Sequence, residues 1–131
     1  MSARSRSSNA TGSRFSVVTR PGGRTPEELE TLLEDAFLLR DDRALAELFE
    51  VGAVLVIDGG VQEARGGVEI TRLAAEMWRR DCTYLADPAR ILQVRDTALI
   101  LARGGINVVR RGEDGSWRYA ISLLQFDAMA G

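Results

Sequence analysis

A chain of 131 residues is the size of one domain with one hydrophobic core, and its 17 basic against 19 acidic side chains leave a net charge of −2 with no histidine anywhere. Every basic side chain is an arginine. This composition excludes imidazole acid–base or nucleophile chemistry, lysine Schiff bases and the common transition-metal sites, so any catalysis has to rest on carboxylates or tyrosines with displaced pKa values.

Arg4, Arg6, Arg14, Arg20 and Arg24 all precede the first acidic residue, Glu27. Residues 1–24, rich in Ser, Arg and Gly, cannot bury enough surface to offset ordering and are expected to form a disordered leader. The acidic remainder argues against a nucleic acid partner. The longest apolar runs, Ala53 to Ile57 and Ala98 to Ala102, are far too short for a membrane span or a secretory signal. One cysteine, Cys82, allows no internal disulfide and suits a cytoplasmic setting. Arginine- and alanine-rich, lysine-free usage is that of a GC-rich bacterial genome.

Order is expected from Thr25-Pro26-Glu27-Glu28, a threonine N-cap, a proline at the first helical position and a glutamate two residues on. Leu29, Leu32, Leu33, Ala36 and Phe37 form the apolar stripe of the helix that follows, with Glu27, Glu30 and Glu34 placed off it. Asp41-Asp42 caps a second, short helix carrying Leu45, Leu48 and Phe49. Ala53 to Ile57 reads as a strand, Asp58-Gly59-Gly60 as a tight turn and Val61 to Arg65 as the returning strand. After Gly66-Gly67, the residues Val68, Ile70, Leu73, Ala74, Met77 and Trp78 resume the helical period. Beyond Asp81 the chain reads as strands: Tyr84 to Ala86, Arg90 to Arg95, Thr97 to Arg103, Ile106 to Arg111 and Trp117 to Phe126, with Gly104-Gly105 as a two-residue turn that shortens the adjoining arm of the sheet. In Thr97 to Arg103, Ala98, Ile100 and Ala102 alternate with Leu99 and Leu101, so both faces are apolar. One face can pack on the helices; the other predicts a homodimer through the sheet. The pattern as a whole predicts an α+β domain over residues 25–127, three helices from the N-terminal half on a curved, mostly antiparallel sheet, with a short tail at 128–131.

Three stretches carry a family resemblance: Thr25-Pro26-Glu27-Glu28 through Leu48-Phe49, Gly66-Gly67-Val68-Glu69-Ile70, and Val109-Arg110-Arg111 followed by Asp114-Gly115-Ser116-Trp117-Arg118-Tyr119. Together they resemble the cone-shaped fold of the nuclear transport factor 2-like superfamily, which includes SnoaL-like polyketide cyclases and ketosteroid isomerases. The resemblance implies a mainly apolar pocket between helices and concave sheet, no cofactor and no metal, and a small apolar, polyketide-like or steroid-like ligand. It also exposes departures. Leu33 or Ala36 stands where ketosteroid isomerases carry an oxyanion-hole tyrosine, Asn107 is nearest to their sheet acid, and Asp58 is one residue out of register with their general base. Ile121, Ser122 and Leu123 occupy the strand where related cyclases often use histidines.

The candidate side chains each have two readings. Asp58 is either a pocket base or a turn residue before its two glycines. Tyr84 is either a hydrogen-bond donor to a ligand carbonyl or an aromatic packing group, and Asn107 either contacts a ligand or makes a structural hydrogen bond. Trp78, Phe37 and Met77 line the pocket or fill the core; Ser122 has no histidine to activate it and serves at most in binding. Cys82 lacks a base and is expected to be inert. Noncatalytic binding in the cone is the first functional expectation. An isomerase, cyclase or dehydratase using Asp58, and a dimeric interaction module, are the alternatives.

Overall fold

The computed structural model describes residues 22–128, so the expected leader falls outside it up to residue 21, as does the tail beyond residue 128. The helices are α1 (Pro26–Leu39), α2 (Asp42–Glu47) and α3 (Gly66–Arg79). The strands are β1 (Phe49–Ile57), β2 (Gln62–Arg65), β3 (Cys82–Thr83), β4 (Pro88–Val94), β5 (Thr97–Ala102), β6 (Gly105–Arg111), β7 (Trp117–Leu124) and β8 (Asp127–Ala128). Six strands form one sheet in the order β2-β1-β7-β6-β5-β4, antiparallel throughout except for the parallel pair β1–β7, and β3 pairs with β8 in a separate two-stranded ribbon. The α+β expectation, helices on a mostly antiparallel sheet, describes this architecture.

The local signals act as their chemistry requires. The Thr25 hydroxyl accepts the Glu28 N–H at 3.0 Å, and the Glu28 carboxylate reaches back to the Arg24 N–H at 2.7 Å. Asp41 caps α2 by accepting the Ala44 N–H at 3.0 Å. Glu69 closes the start of α3 by accepting the Arg65 N–H at 2.8 Å. Backbone pairing precedes the capping sequence: Gly23 exchanges two backbone hydrogen bonds with Trp117 at 2.9 and 2.7 Å. Only glycine fits at that crossing: a Cβ on Gly22 would lie 2.5 Å from the Trp117 carbonyl oxygen.

Four boundaries differ from the sequence expectation. Phe49 opens β1 instead of closing α2, since its ring packs on Tyr119 with centroids 5.2 Å apart and its Cα pairs with that residue. Val61 belongs to the turn, and β2 starts at Gln62. Tyr84 to Ala86 is an irregular strap following the short β3. The β5–β6 turn is made by Arg103-Gly104, with Gly105 already paired to Ala102. Gly105 is glycine for close approach, not for the turn: a Cβ there would stand 2.2 Å from the Leu123 carbonyl oxygen.

The concave face of the sheet and the helices enclose the core, with Leu29, Leu33, Leu55, Ile70, Ile100 and Leu124 all buried. A bulge in β7 shapes that face. Val109 pairs with Tyr119 but Val108 pairs with Ile121, so Ala120 is an extra residue in the ladder. Tyr119 and Ser122, three positions apart, consequently both point into the cone; in an unbulged strand they would lie on opposite faces.

Candidate functional site

Polar side chains from four parts of the fold converge inside this apolar shell. Helix α1 contributes Glu30, only 2 % exposed; β6 contributes Asn107, at 1 %; β7 contributes Tyr119 and Ser122, both fully buried; the strap after β3 contributes Tyr84, at 2 %. Asn107 and Ser122 are direct cross-strand neighbours, and Ser122 in turn pairs with Leu55 of β1, so the two polar residues sit together on the concave face. The Tyr119 hydroxyl donates a short hydrogen bond to Glu30 Oε2 and reaches the Leu29 carbonyl at 3.4 Å. The Tyr84 hydroxyl faces Asn107 and Glu30 without closing a hydrogen bond of good geometry to either.

Glu30 is a correction to the helical-wheel reading, which set it off the apolar stripe. At about 100° per residue it lies about 20° round from Phe37 and about 60° from Leu33, on the edge of the stripe. The fold takes that edge inside, whereas Leu32, counted in the stripe from sequence, is only half-buried.

Burial sets the electrostatics. It raises the Glu30 carboxyl above its ordinary value, against the opposing pull of the Tyr119 hydrogen bond and with a further push from the charge of Glu34. Burial is also the main reason that both tyrosines are pushed well above the usual phenol range, with the Glu30 charge adding to it. Several polar atoms in this shell have no hydrogen-bond partner among the described residues: Glu30 Oε1, the Tyr84 hydroxyl, both amide atoms of Asn107, the Ser122 hydroxyl and the Trp78 indole Nε1. Each buried polar atom left unpaired costs about 1–3 kcal/mol.

Aromatic rings fill much of the rest of this core. Phe37 is central, with ring centroids 5.8 Å from Trp78, 6.1 Å from Tyr84 and 5.2 Å from Phe126. Met77 is buried beside them. The strap carrying Tyr84 is tied to α1 and to the β5–β6 turn: the Glu34 carboxylate accepts the Ala86 N–H at 2.6 Å, and the Arg103 N–H donates to the Asp87 carbonyl at 3.1 Å. Outside the strap lies a cleft of about 720 Å³ lined by Glu34, Leu85, Asp87, Arg103, Gly104 and Gln125.

The expected site residues thus divide. Tyr84, Asn107, Ser122, Trp78, Phe37 and Met77 are all buried within the cone core. Asp58 stands apart, exposed in the turn Asp58–Gly60 at φ 54°, with its carboxylate accepting the Phe126 N–H at 3.3 Å. That position corrects the pocket-base reading in favour of the turn reading: the carboxylate holds the chain end after β7 and does not face the cone. Cys82 is half-buried on β3. No cluster of three His, Cys, Asp or Glu side chains suited to a metal exists among the described residues, and no helix there is long and apolar enough to cross a membrane.

Glu30 and Tyr119 were not among the residues singled out from sequence. The signal for Glu30 was its spacing of four from Pro26 and three before Leu33, both inward-facing positions of the helix. Tyr119 carried no such signal, because strict alternation sets it on the face opposite Ser122, and only the bulge at Ala120 brings the two to one face.

No family model matches the sequence, and no curated protein does. Solved structures do match. A Nostoc punctiforme protein of unknown function with a cystatin-like fold is 20 % identical, with a TM-score of 0.64 over 79 % of this chain and 89 % of that one. A ketosteroid isomerase-like protein from Erwinia carotovora atroseptica is 15 % identical, with a TM-score of 0.61 over 73 % of this chain and 88 % of that one. A nuclear transport factor 2-like protein with a cystatin-like fold from Novosphingobium aromaticivorans is 18 % identical, with a TM-score of 0.59 over 76 % and 79 % of the two chains. Helices on one face of a curved, bulged sheet, enclosing an apolar cone with a polar cluster at its heart, give this chain the nuclear transport factor 2-like, cystatin-like α+β fold.

Proposed function

We propose that the protein binds a small organic molecule in the cone, the ligand's apolar body against Phe37, Trp78 and Met77 and its polar end against Tyr84, Asn107 and Ser122. The observation that carries this reading is the set of unpartnered polar atoms in an otherwise apolar core. Folding alone gives no reason to keep them, since apolar side chains of similar size would remove the desolvation cost. A ligand with complementary donors and acceptors gives one. The reading favours binding over catalysis by Asp58, whose exposed carboxylate accepts the Phe126 N–H. A cytoplasmic setting belongs to the same reading and is supported by the unpaired Cys82.

A homodimer through the outer face of the sheet is the second part of the proposal. Two rows of aliphatic side chains run across that face, Leu92-Leu99-Val108-Ile121-Val54 and Leu101-Ile106-Leu123-Val56, each successive pair being cross-strand neighbours. Ile106, Ile121 and Leu123 remain 45, 45 and 43 % exposed in the single chain. A second copy laid on the same face would cover them.

The test is mass spectrometry of molecules released when the purified protein is denatured. Wild type is expected to release one compound at close to one equivalent, and Asn107→Leu at least about tenfold less. No released compound from wild type, or equal release from both proteins, would overturn the binding reading.

A further inference from the structure

Glu30 is the one buried carboxylate among the described residues, and its surroundings are chemically one-sided. Glu30 is buried, Tyr119 occupies Oε2, and Oε1 has no partner. The titratable groups acting on it are Tyr119 from β7, Tyr84 from the strap and Glu34 from its own helix; no arginine is among them. Aromatic rings pack in the same core. Tyr84 packs on Phe37 and Phe126, Phe37 continues to Trp78, and Tyr119 stacks on Phe49. In the cleft outside the strap, Asp87 is paired with Arg103 at 4.0 Å, and Glu34 is the carboxylate left without a cationic partner there among the described residues.

We infer that the ligand is a small organic cation, an amine or quaternary ammonium that also carries a hydroxyl or carbonyl oxygen. This rests on the cone being a binding site and names the class of molecule it takes. A carboxylate buried without a counter-charge is penalised by desolvation, and a bound cation is the partner that removes the penalty while meeting the unpaired Oε1. Electron-rich aromatic faces attract the same charge, and a desolvated setting strengthens that attraction. An anion would meet Glu30 and Glu34 with no arginine acting on Glu30 among the described residues, and is disfavoured. The free N–H groups of Asn107 and Trp78 require acceptors, which the ligand's oxygen supplies.

Protonation follows from the same geometry. Burial holds the Glu30 carboxyl above its ordinary value, so the unliganded group keeps its proton to higher pH than a surface glutamate, and a cation selects the ionised form. Binding then releases a proton, and affinity rises with pH until Glu30 is fully ionised.

Three isosteric probes test the inference by calorimetric titration of the wild-type protein: choline, the alcohol in which a tert-butyl group replaces the trimethylammonium, and the carboxylate tert-butylacetate. Choline is expected to bind at least about tenfold more tightly than the neutral alcohol, with tert-butylacetate weakest. The preference should grow as pH rises above the ordinary glutamate range and shrink in Glu30→Gln, which keeps the size of the side chain and whose folding is checked by its urea unfolding. Equal or tighter binding of the alcohol or the carboxylate overturns the cation inference and leaves the cone as a binding site. Failure of all three probes to bind overturns the inference as well, and the released-compound experiment then decides the binding reading separately.

Discussion

Tyr119→Phe isolates the buried pair from the packing around it. The substitution removes one hydroxyl and keeps the ring that stacks on Phe49 at 5.2 Å. It takes from Glu30 Oε2 its hydrogen bond and leaves both carboxyl oxygens unpaired among the described residues, since Oε1 has no partner already. An unsatisfied buried group of this kind costs about 1–3 kcal/mol, which for a domain of this size lowers Tm by roughly 5–15 °C. Glu30→Leu should cost about 1–2 kcal/mol, because the Tyr119 hydroxyl keeps only the Leu29 carbonyl at 3.4 Å. The double variant removes both polar partners and should return to within about 1 kcal/mol of wild type or exceed it. Urea unfolding followed by tryptophan fluorescence, with unchanged slope across the four proteins, gives each value. A Tyr119→Phe protein within about 0.5 kcal/mol of wild type, or a double variant as unstable as the sum of the singles, would refute the reasoning. Recovery in the double variant would mean that the pair is not retained for stability, as expected of a functional group.

Other outcomes follow from the same geometry. Because the folded Glu30 pKa is raised above the unfolded value of about 4.5, its contribution to stability is fully present below that pH and is lost as pH rises towards the folded value; wild type should therefore lose stability relative to Glu30→Gln over that window, read from paired urea titrations. The chain has 2 tyrosines, Tyr84 and Tyr119, and both are raised, so ultraviolet titration should show no phenolate near pH 10 until the protein unfolds, and early ionisation of either would contradict their burial. Gly104→Ala places a Cβ 2.4 Å from the Leu85 carbonyl oxygen and 2.8 Å from Tyr84 Cε1, which should destabilise the protein by about 1–3 kcal/mol and loosen the strap, seen as faster amide exchange at Ala86. Leu123→Arg in the outer aliphatic row should give a folded monomer in sedimentation analysis, where persistence of a dimer would exclude that face as its interface.

The architecture was legible in the sequence because it rests on local chemistry. Thr25 and Asp41 cap helices, the turn at Asp58-Gly59-Gly60 ends β1, and alternation in Thr97 to Ala102 marks a strand with two apolar faces. The site was legible where polarity interrupts an apolar strand, as at Asn107 and Ser122. It was obscured where tertiary geometry overrides the local period. Glu30 lies at the margin of its helical stripe, and only the curvature of the sheet around α1 decides that this margin is inside. Tyr119 faces the cone because one extra residue, Ala120, enters the β7 ladder, and nothing in Trp117-Arg118-Tyr119-Ala120-Ile121 announces the bulge. Asp58 shows the reverse case: its position beside two glycines already described a turn, and the resemblance to a catalytic register drew attention to a carboxylate that the backbone uses for Phe126.

The most direct test of the account is a high-resolution crystal structure of the purified protein, with the contents of the cone resolved. A bound organic molecule within about 2.6–3.2 Å of the Asn107 amide and the Tyr84 hydroxyl, with its cationic group against Glu30 Oε1, is the predicted result. A cone in which Asn107, Ser122, Tyr84 and Glu30 satisfy one another directly, and no molecule lies between them, would contradict it.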